Sequence, residues 1–407
     1  MTRRFAIPKA LTSALAVSLA VLAIPQRGEA SPYKVTFLDS WITPQLDNDG
    51  IVSGGVRPMG WDKGIYGYFY DSNPGGGVTV TGITLPTASQ PGSYDFQGSI
   101  LSLNDRGQGL GFNPGTNEVM LFDSRTGAAT PLSFSTKDMS GRPQITDSGA
   151  IYGTRQSMGA NGFVDYRPFV YRDGALQDLD LPPGMVGAQL LAADDAGRLL
   201  VRAAAPSDGL PDYNAHTMLL DNGRWTDLGK LLIGGFSGRN MNANGDVVGN
   251  THVPWPQFTH AILVPNGGEA IDLGELSGHE WSIASAINNM GQIVGSFSDS
   301  DGNGAVAFLY QDGVMTSLKD LINADDGWMI HEAITINDRG QILASAANEK
   351  LGGGYVLLTP GDQPTPPDFL LPEMPVPEPS TWVVFALAAV GLGCREAKKR
   401  GRTHRGL

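Results

Sequence analysis

The chain has 407 residues, and its 41 Asp and Glu against 28 Lys and Arg give a formal net charge of −13. A surface of that sign repels nucleic acid and anionic membrane and attracts cationic material. The single cysteine, Cys394, excludes an intrachain disulfide framework, so stability must come from buried strands or from ions.

Residues 1–30 have the three parts of a secretory signal peptide. Arg3, Arg4 and Lys9 precede an apolar run from Ala10 to Ile24, and Gly28-Glu29-Ala30 leads to Ser31. An uncleaved anchor is disfavoured because the run is short and carries Thr12, Ser13 and Ser18. Thr2-Arg3-Arg4-Phe5 lacks the wider context of a twin-arginine signal, so general secretion is the expectation.

Residues 31–360 form a repeat body. Gly50, Gly107, Gly149, Gly197, Gly245, Gly291 and Gly340 recur 42 to 57 residues apart, the period range of propeller blades. Three residues before each glycine stands a turn opener: Asp47, Asn104, Thr146, Asp194, Asn242, Asn288 or Asn337. An Asn or Asp side chain can bond the turn backbone, and the glycine can take the positive φ of a type I turn with a G1 bulge. An apolar pair such as Val247-Val248 or Ile293-Val294 then opens a strand, usually followed by a small residue such as Gly249 or Gly295. Crowding near a propeller axis would favour glycine there. The four residues Asp47-Asn48-Asp49-Gly50 bunch oxygen atoms, but they read as one of these ordinary turns.

Further strands are expected at 66–70, 119–122, 169–171, 218–220, 261–264, 307–310 and 355–358. Fourth strands are expected at 176–179, 225–228, 270–273 and 315–318, after polar turns such as Asp173-Gly174 and Asp312-Gly313. The seventh unit stops after its third strand, and a spare strand lies at 33–39. The expectation is an all-β, seven-bladed β-propeller in which that N-terminal strand closes the last blade. An open β-solenoid or a row of hairpins would satisfy the same repeat without closure.

The motif Ile287-Asn288-Asn289-Met290-Gly291-Gln292-Ile293-Val294-Gly295 is accompanied by His260-Ala261-Ile262-Leu263, Val306-Ala307-Phe308-Leu309, Asp227-Leu228-Gly229 and Asp272-Leu273-Gly274. Across 220–345 this resembles the HAF family of bacterial extracellular repeats. The resemblance implies a secreted or surface location and no settled activity.

Candidate chemistry is sparse. His216, His252, His260, His279, His331 and His404 show no His-Glu-x-x-His or other paired metal spacing, and neither a Gly-x-Ser-x-Gly elbow nor a phosphate loop occurs. No catalytic residue is assigned and no cofactor is required. Asp299, Asp301 and Asn303 are weak calcium candidates, since their loop lacks a distal bidentate Glu. Trp61, Tyr66, Tyr68, Trp255, Trp281 and Trp328 depart from the repeat and could stack on sugar rings, although core or blade packing is the plainer reading.

At 361–375 the composition shifts to a Pro-rich, semi-rigid linker. Residues 376–407 hold Val376, Pro377, Glu378 and Pro379, an apolar run at 382–394, and a basic tail with Arg395, Lys398, Lys399, Arg400 and Arg402. The run is shorter than the roughly 20 residues of a comfortable span, and its basic end is expected to stay cytoplasmic. The arrangement resembles the PEP-CTERM sorting signal of Gram-negative bacteria. That resemblance implies a C-terminal hydrophobic sorting helix held transiently in the inner membrane and processing by an exosortase-type transpeptidase. It also implies a final place on the cell surface or outside the cell, usually alongside exopolysaccharide. Removing residues 1–30 and the basic tail from Arg395 onward leaves 18 basic against 39 acidic residues, a net charge of −21. The functional expectation is a non-catalytic binding or structural module, with no nucleic-acid partner. The alternative is a propeller glycosidase or lyase using acids at the central mouth, where an asymmetric group of carboxylates and aromatics would favour the enzyme and a uniform rim the binder.

Overall fold

The turn at 288–291 shows how the repeat becomes a hairpin. The N–H of Asn288 donates to the carbonyl of Gln292 (3.0 Å), and the N–H of Gly291 donates to the carbonyl of Asn288 (3.1 Å). Gly291 has φ 79°, which closes a type I turn with a G1 bulge. The same two backbone bonds recur at Asp47, Asn104, Thr146, Asp194, Asn242 and Asn337, each with its glycine at positive φ. Thr146 keeps the geometry because backbone groups make both bonds.

In the computed structural model the described residues are 32–38, 40, 43–56, 66–71, 79–82, 100–113, 116–158, 164–206, 216–232, 235–251, 253–254, 257–274, 281–298 and 304–361. Among them the hairpins assemble into seven antiparallel sheets of four strands. Six blades take their strands in chain order; the sixth consists of Trp281–Ile287, Ile293–Ser298, Val306–Gln311 and Val314–Ser317. The seventh takes Trp328–Ile336, Ile342–Asn348 and Gly352–Pro360 from the end of the body and Tyr33–Leu38 from its start. That strand pairs Tyr33 with Pro360 through to Leu38 with Tyr355. First strands of successive blades touch one another all the way round, and Trp328–Ile336 meets Gln45–Leu46 to complete the ring. The chain is therefore an all-β, seven-bladed propeller closed by its N-terminal strand.

The core is divided among the seams between blades. Ala286, Val294, Ala307 and Leu309 of the sixth blade pack on Ile330, Ala333, Ile342 and Val356 of the seventh. Leu38, Leu343 and Leu357 of the seventh pack on Val52 and Tyr70 of the first. Each fully buried aliphatic side chain contributes about 1.5–3 kcal/mol, so a missing seam would be costly.

Three details refine the sequence expectation. The small residue after the turn relieves crowding against the first strand of its own blade. A Cβ on Gly295 would lie 2.0 Å from the carbonyl oxygen of Ile283 and 2.8 Å from the Phe308 ring. Fourth strands end one residue early, at Asp227 and Ser317, because Leu228 and Leu318 begin single 3-10 turns that bury them. The fifth blade also carries a small hairpin, Val253–Pro254 with Gln257–Phe258, that the repeat pattern does not announce.

Candidate functional site

The seven repeat turns meet at one mouth of the central channel, and their side chains link blade to blade. The Nδ2 of Asn104 donates to the carbonyl of Thr146 (2.9 Å), that of Asn242 to Asn288 (3.1 Å), that of Asn288 to Asn337 (2.9 Å), and that of Asn337 to Asp47 (2.9 Å). The last bond crosses the closure between the seventh and first blades. Each of these amides also bonds a side-chain oxygen four residues on, at Gln108, Asp246, Gln292 or Gln341. Asp194 carries a carboxylate instead, and the residue four on is Arg198, whose Nε lies 2.6 Å from Asp194 Oδ2.

The residues following the openers form a second ring: Asn48, Asp105, Asp147, Asp195, Ala243, Asn289 and Asp338. Their oxygens cap backbone N–H groups of the preceding blade. Asp105 accepts from Asn48 (2.8 Å), Asp147 from Asp105 (2.7 Å), Asp195 from Ser148 (2.7 Å), Asn289 from Ala243 (2.7 Å), Asp338 from Asn289 (2.8 Å), and Asn48 from Asp338 (2.7 Å). Ala243 has no oxygen to give. At that seam Arg198 reaches across and donates to the Ala243 carbonyl. This second ring is thus continuous except at Ala243, and the mouth it edges holds a cavity of about 510 Å³ whose lining includes Asp105, Asp147, Asp195, Arg198 and Asp338. Among the described residues no aromatic belongs to the lining.

The rim carboxylates differ in acidity for identifiable reasons. Burial pushes Asp147 above the usual carboxylate range, reinforced by the charges of Asp105 and Asp195. Burial also opposes ionisation of Asp195, but hydrogen bonds from the Ser148 and Asp147 backbone and the Thr146 and Ser148 hydroxyls outweigh it and hold its pKa below that range. Hydrogen bonds to backbone N–H groups thus fix these acids as caps.

The named repeat-turn residues Asn104, Gly107, Asn242, Gly245, Asn288, Gly291, Asn337 and Gly340 all lie at this mouth or in its turns. The ring one residue further on was not singled out from sequence; its signal is a column of Asp and Asn directly after six of the seven openers, with Ala243 the exception. In 47–50 the side-chain oxygen of Asn48 accepts from the Asp338 N–H and the Asp49 carboxylate from Arg339, both on the seventh blade, so these groups bridge blades. Val376, Pro377, Glu378, Pro379, Arg395, Lys398, Lys399, Arg400 and Arg402 lie outside the described residues, as do Asp299, Asp301 and Asn303. Among the described residues no group of three His, Cys, Asp or Glu is arranged to hold a metal ion. His216 and His260 sit at equivalent positions of two blades, each against an Asp, at 2.9 Å from Asp227 and 2.7 Å from Asp272. Trp328 stacks on Phe37 with ring centroids 5.7 Å apart, Trp281 begins a first strand, and Tyr66 and Tyr68 lie on the strand Tyr66–Asp71. Trp61 and Trp255 lie outside the described residues.

Residues 375–400 match the model of the PEP-CTERM protein-sorting motif. The chain thus carries the mark of an exported protein handled through a C-terminal sorting signal of the exosortase type. No helix among the described residues is long and apolar enough to cross a membrane. No curated protein matches the chain. Among solved structures, the β-propeller domain of the Trilobed protease from Pyrococcus furiosus aligns with TM-score 0.52 and 10% identity, over 83% of this chain and 100% of that one. An acylaminoacyl peptidase in complex with a chloromethyl ketone aligns with TM-score 0.55 and 10% identity, over 83% of this chain and 52% of that one. The Pyrococcus horikoshii acylaminoacyl peptidase aligns with TM-score 0.52 and 11% identity, over 80% and 51%. The chain spans about half the length of those two peptidases. These likenesses are of fold.

Proposed function

We propose that this protein is a non-catalytic binding and structural module of the cell surface or extracellular matrix, with the rimmed mouth as its recognition surface and exopolysaccharide as its partner. The observation that carries this reading is the rim itself. Its acids are repeated around the ring and are held by backbone N–H groups, and among the described residues no aromatic stands with them. A hydrolase of polysaccharide needs two carboxyl groups set apart in role across the scissile bond. A ring of carboxylate and amide oxygens instead suits the hydroxyl groups of a neutral or amino-sugar polymer, and its charge repels an anionic one. The HAF-like repeats support the same extracellular address.

On this reading residues 1–30 direct export, 31–360 bind, 361–375 space the propeller from the membrane, and 376–407 hold it in the inner membrane until an exosortase-type enzyme acts. Calcium at Asp299, Asp301 and Asn303 is an accessory that the reading does not require. The test is size-exclusion chromatography with light scattering of the exported protein mixed with its producer's exopolysaccharide, in calcium and in chelator. Co-elution at constant polymer mass is expected, and Asp338→Ala is expected to weaken it by about tenfold, or about 1.4 kcal/mol. Shortening of the polymer with time would overturn the non-catalytic reading, and absence of co-elution would remove exopolysaccharide as the partner.

A further inference from the structure

Of the seven turn openers, Asp47 alone combines a carboxylate with no partner for its second oxygen. Its Oδ1 accepts the N–H of Ile51 at 2.7 Å, as the corresponding atoms of the Asn openers do. Its Oδ2 is buried without a hydrogen bond, and the residue as a whole is 3% exposed. In the four Asn openers the equivalent atom is a nitrogen, and in three consecutive blades it donates to the carbonyl of the next opener around the ring. For Asp47 that next carbonyl belongs to Asn104.

The residue four positions on sharpens the contrast. An Asn opener has a second amide hydrogen, and Gln108, Asp246, Gln292 or Gln341 accepts it. The carboxylate of Asp194 is matched by Arg198. Asp47 is followed by Ile51, which offers neither an acceptor nor a positive charge. A neutral carboxylic acid has one hydrogen to give and needs no second acceptor, so Ile51 suits that form and no other.

We propose that Asp47 is a protonatable latch between the first and second blades: as the neutral acid its Oδ2–H donates to the Asn104 carbonyl, and loss of the proton breaks that link. The charged groups facing it point the same way. Asp105 from the second blade and Asp49 on its own turn both repel its charge. Arg339 of the seventh blade is bonded to Asp49 at 3.2 Å. Burial first, then the charges of Asp105 and Asp49, push the Asp47 carboxyl up to about 7. Because the folded protein holds this proton more tightly than the unfolded chain, the latch contributes fully below the ordinary carboxylate range. Its contribution is lost as pH rises through about 7.

The test compares the full-length chain with Asp47→Asn and Asp47→Asn/Ile51→Gln, the latter rebuilding the pair used by three other blades. Thermal midpoints are measured from about pH 5 to about pH 8.5. The wild type is expected to lose several degrees more than either variant over that range, and the double variant to be the most stable at the alkaline end. Independently, an infrared difference spectrum of wild type minus Asp47→Asn is expected to contain a protonated carboxyl band at about pH 5 that fades through neutrality. Parallel pH profiles for all three proteins, or a carboxylate band already present at the acid end, would overturn the proposal. Should Asp47→Asn fold poorly at one extreme, Asp47→Asn/Ile51→Gln takes its place as the reference spectrum.

Discussion

At the scale of single residues, the mouth is governed by which atom each opener presents and how closely the second strand approaches the first. Gly249 is the sharpest case, because an added Cβ would lie 2.0 Å from the carbonyl oxygen of Ser237 and 2.9 Å from the Cα of Gly238. Both are backbone atoms of the paired strand, which cannot swing aside as a side chain would. Gly249→Ala is therefore expected to destabilise by about 1–3 kcal/mol, read as a lowered denaturant midpoint at unchanged slope. An unaltered midpoint would contradict the close approach described. The need for glycine was legible from the repeat, but its cause was not. Periodicity shows that a position is small, and only the register of the two strands, with its bulge between Ala284 and Ala286 in the sixth blade, shows which carbonyl it faces. In the same way Asn288 could be read as a turn former, while its bond to the Asn337 carbonyl 49 positions away needed the ring.

At the scale of elements, the strand Tyr33–Leu38 does work that the seventh repeat cannot do for itself. It satisfies the outer edge of Gly352–Pro360 over six residue pairs and lends Leu38 to the seam with the first blade. Deleting residues 33–38 would leave that edge unpaired and Val52 and Tyr70 partly uncovered. The expected result is a chain that associates through strand addition, seen as concentration-dependent mass by light scattering. A stable monomer would mean that the ring needs no outer strand there. This closure was legible in the sequence because counting strands leaves one over at the start and one missing at the end. The hairpin Val253–Pro254 with Gln257–Phe258 was not, since among the described residues it is an insertion found in one blade alone.

At the scale of the whole molecule, the body begins and ends at one place. The N–H of Gly361 donates to the carbonyl of Pro32 at 2.6 Å, so the two ends of the ring are hydrogen-bonded neighbours on the last blade. A circular permutant that joins them through a short Gly-Ser link and opens the turn at Asp312-Gly313 is expected to give the same near-ultraviolet dichroism as the parent, because every blade keeps its strands. Loss of that signal would mean that the chain's own order is needed to assemble the ring. The placement also decides how the propeller would bear tension. Residue 361 continues from Gly352–Pro360, which is flanked on one side by Tyr33–Leu38 and on the other by Ile342–Asn348. A pull arriving along the chain from its C-terminal side enters a strand clamped between two ladders. It must slide past both at once, whereas a pull on the outer strand would peel one ladder open rung by rung.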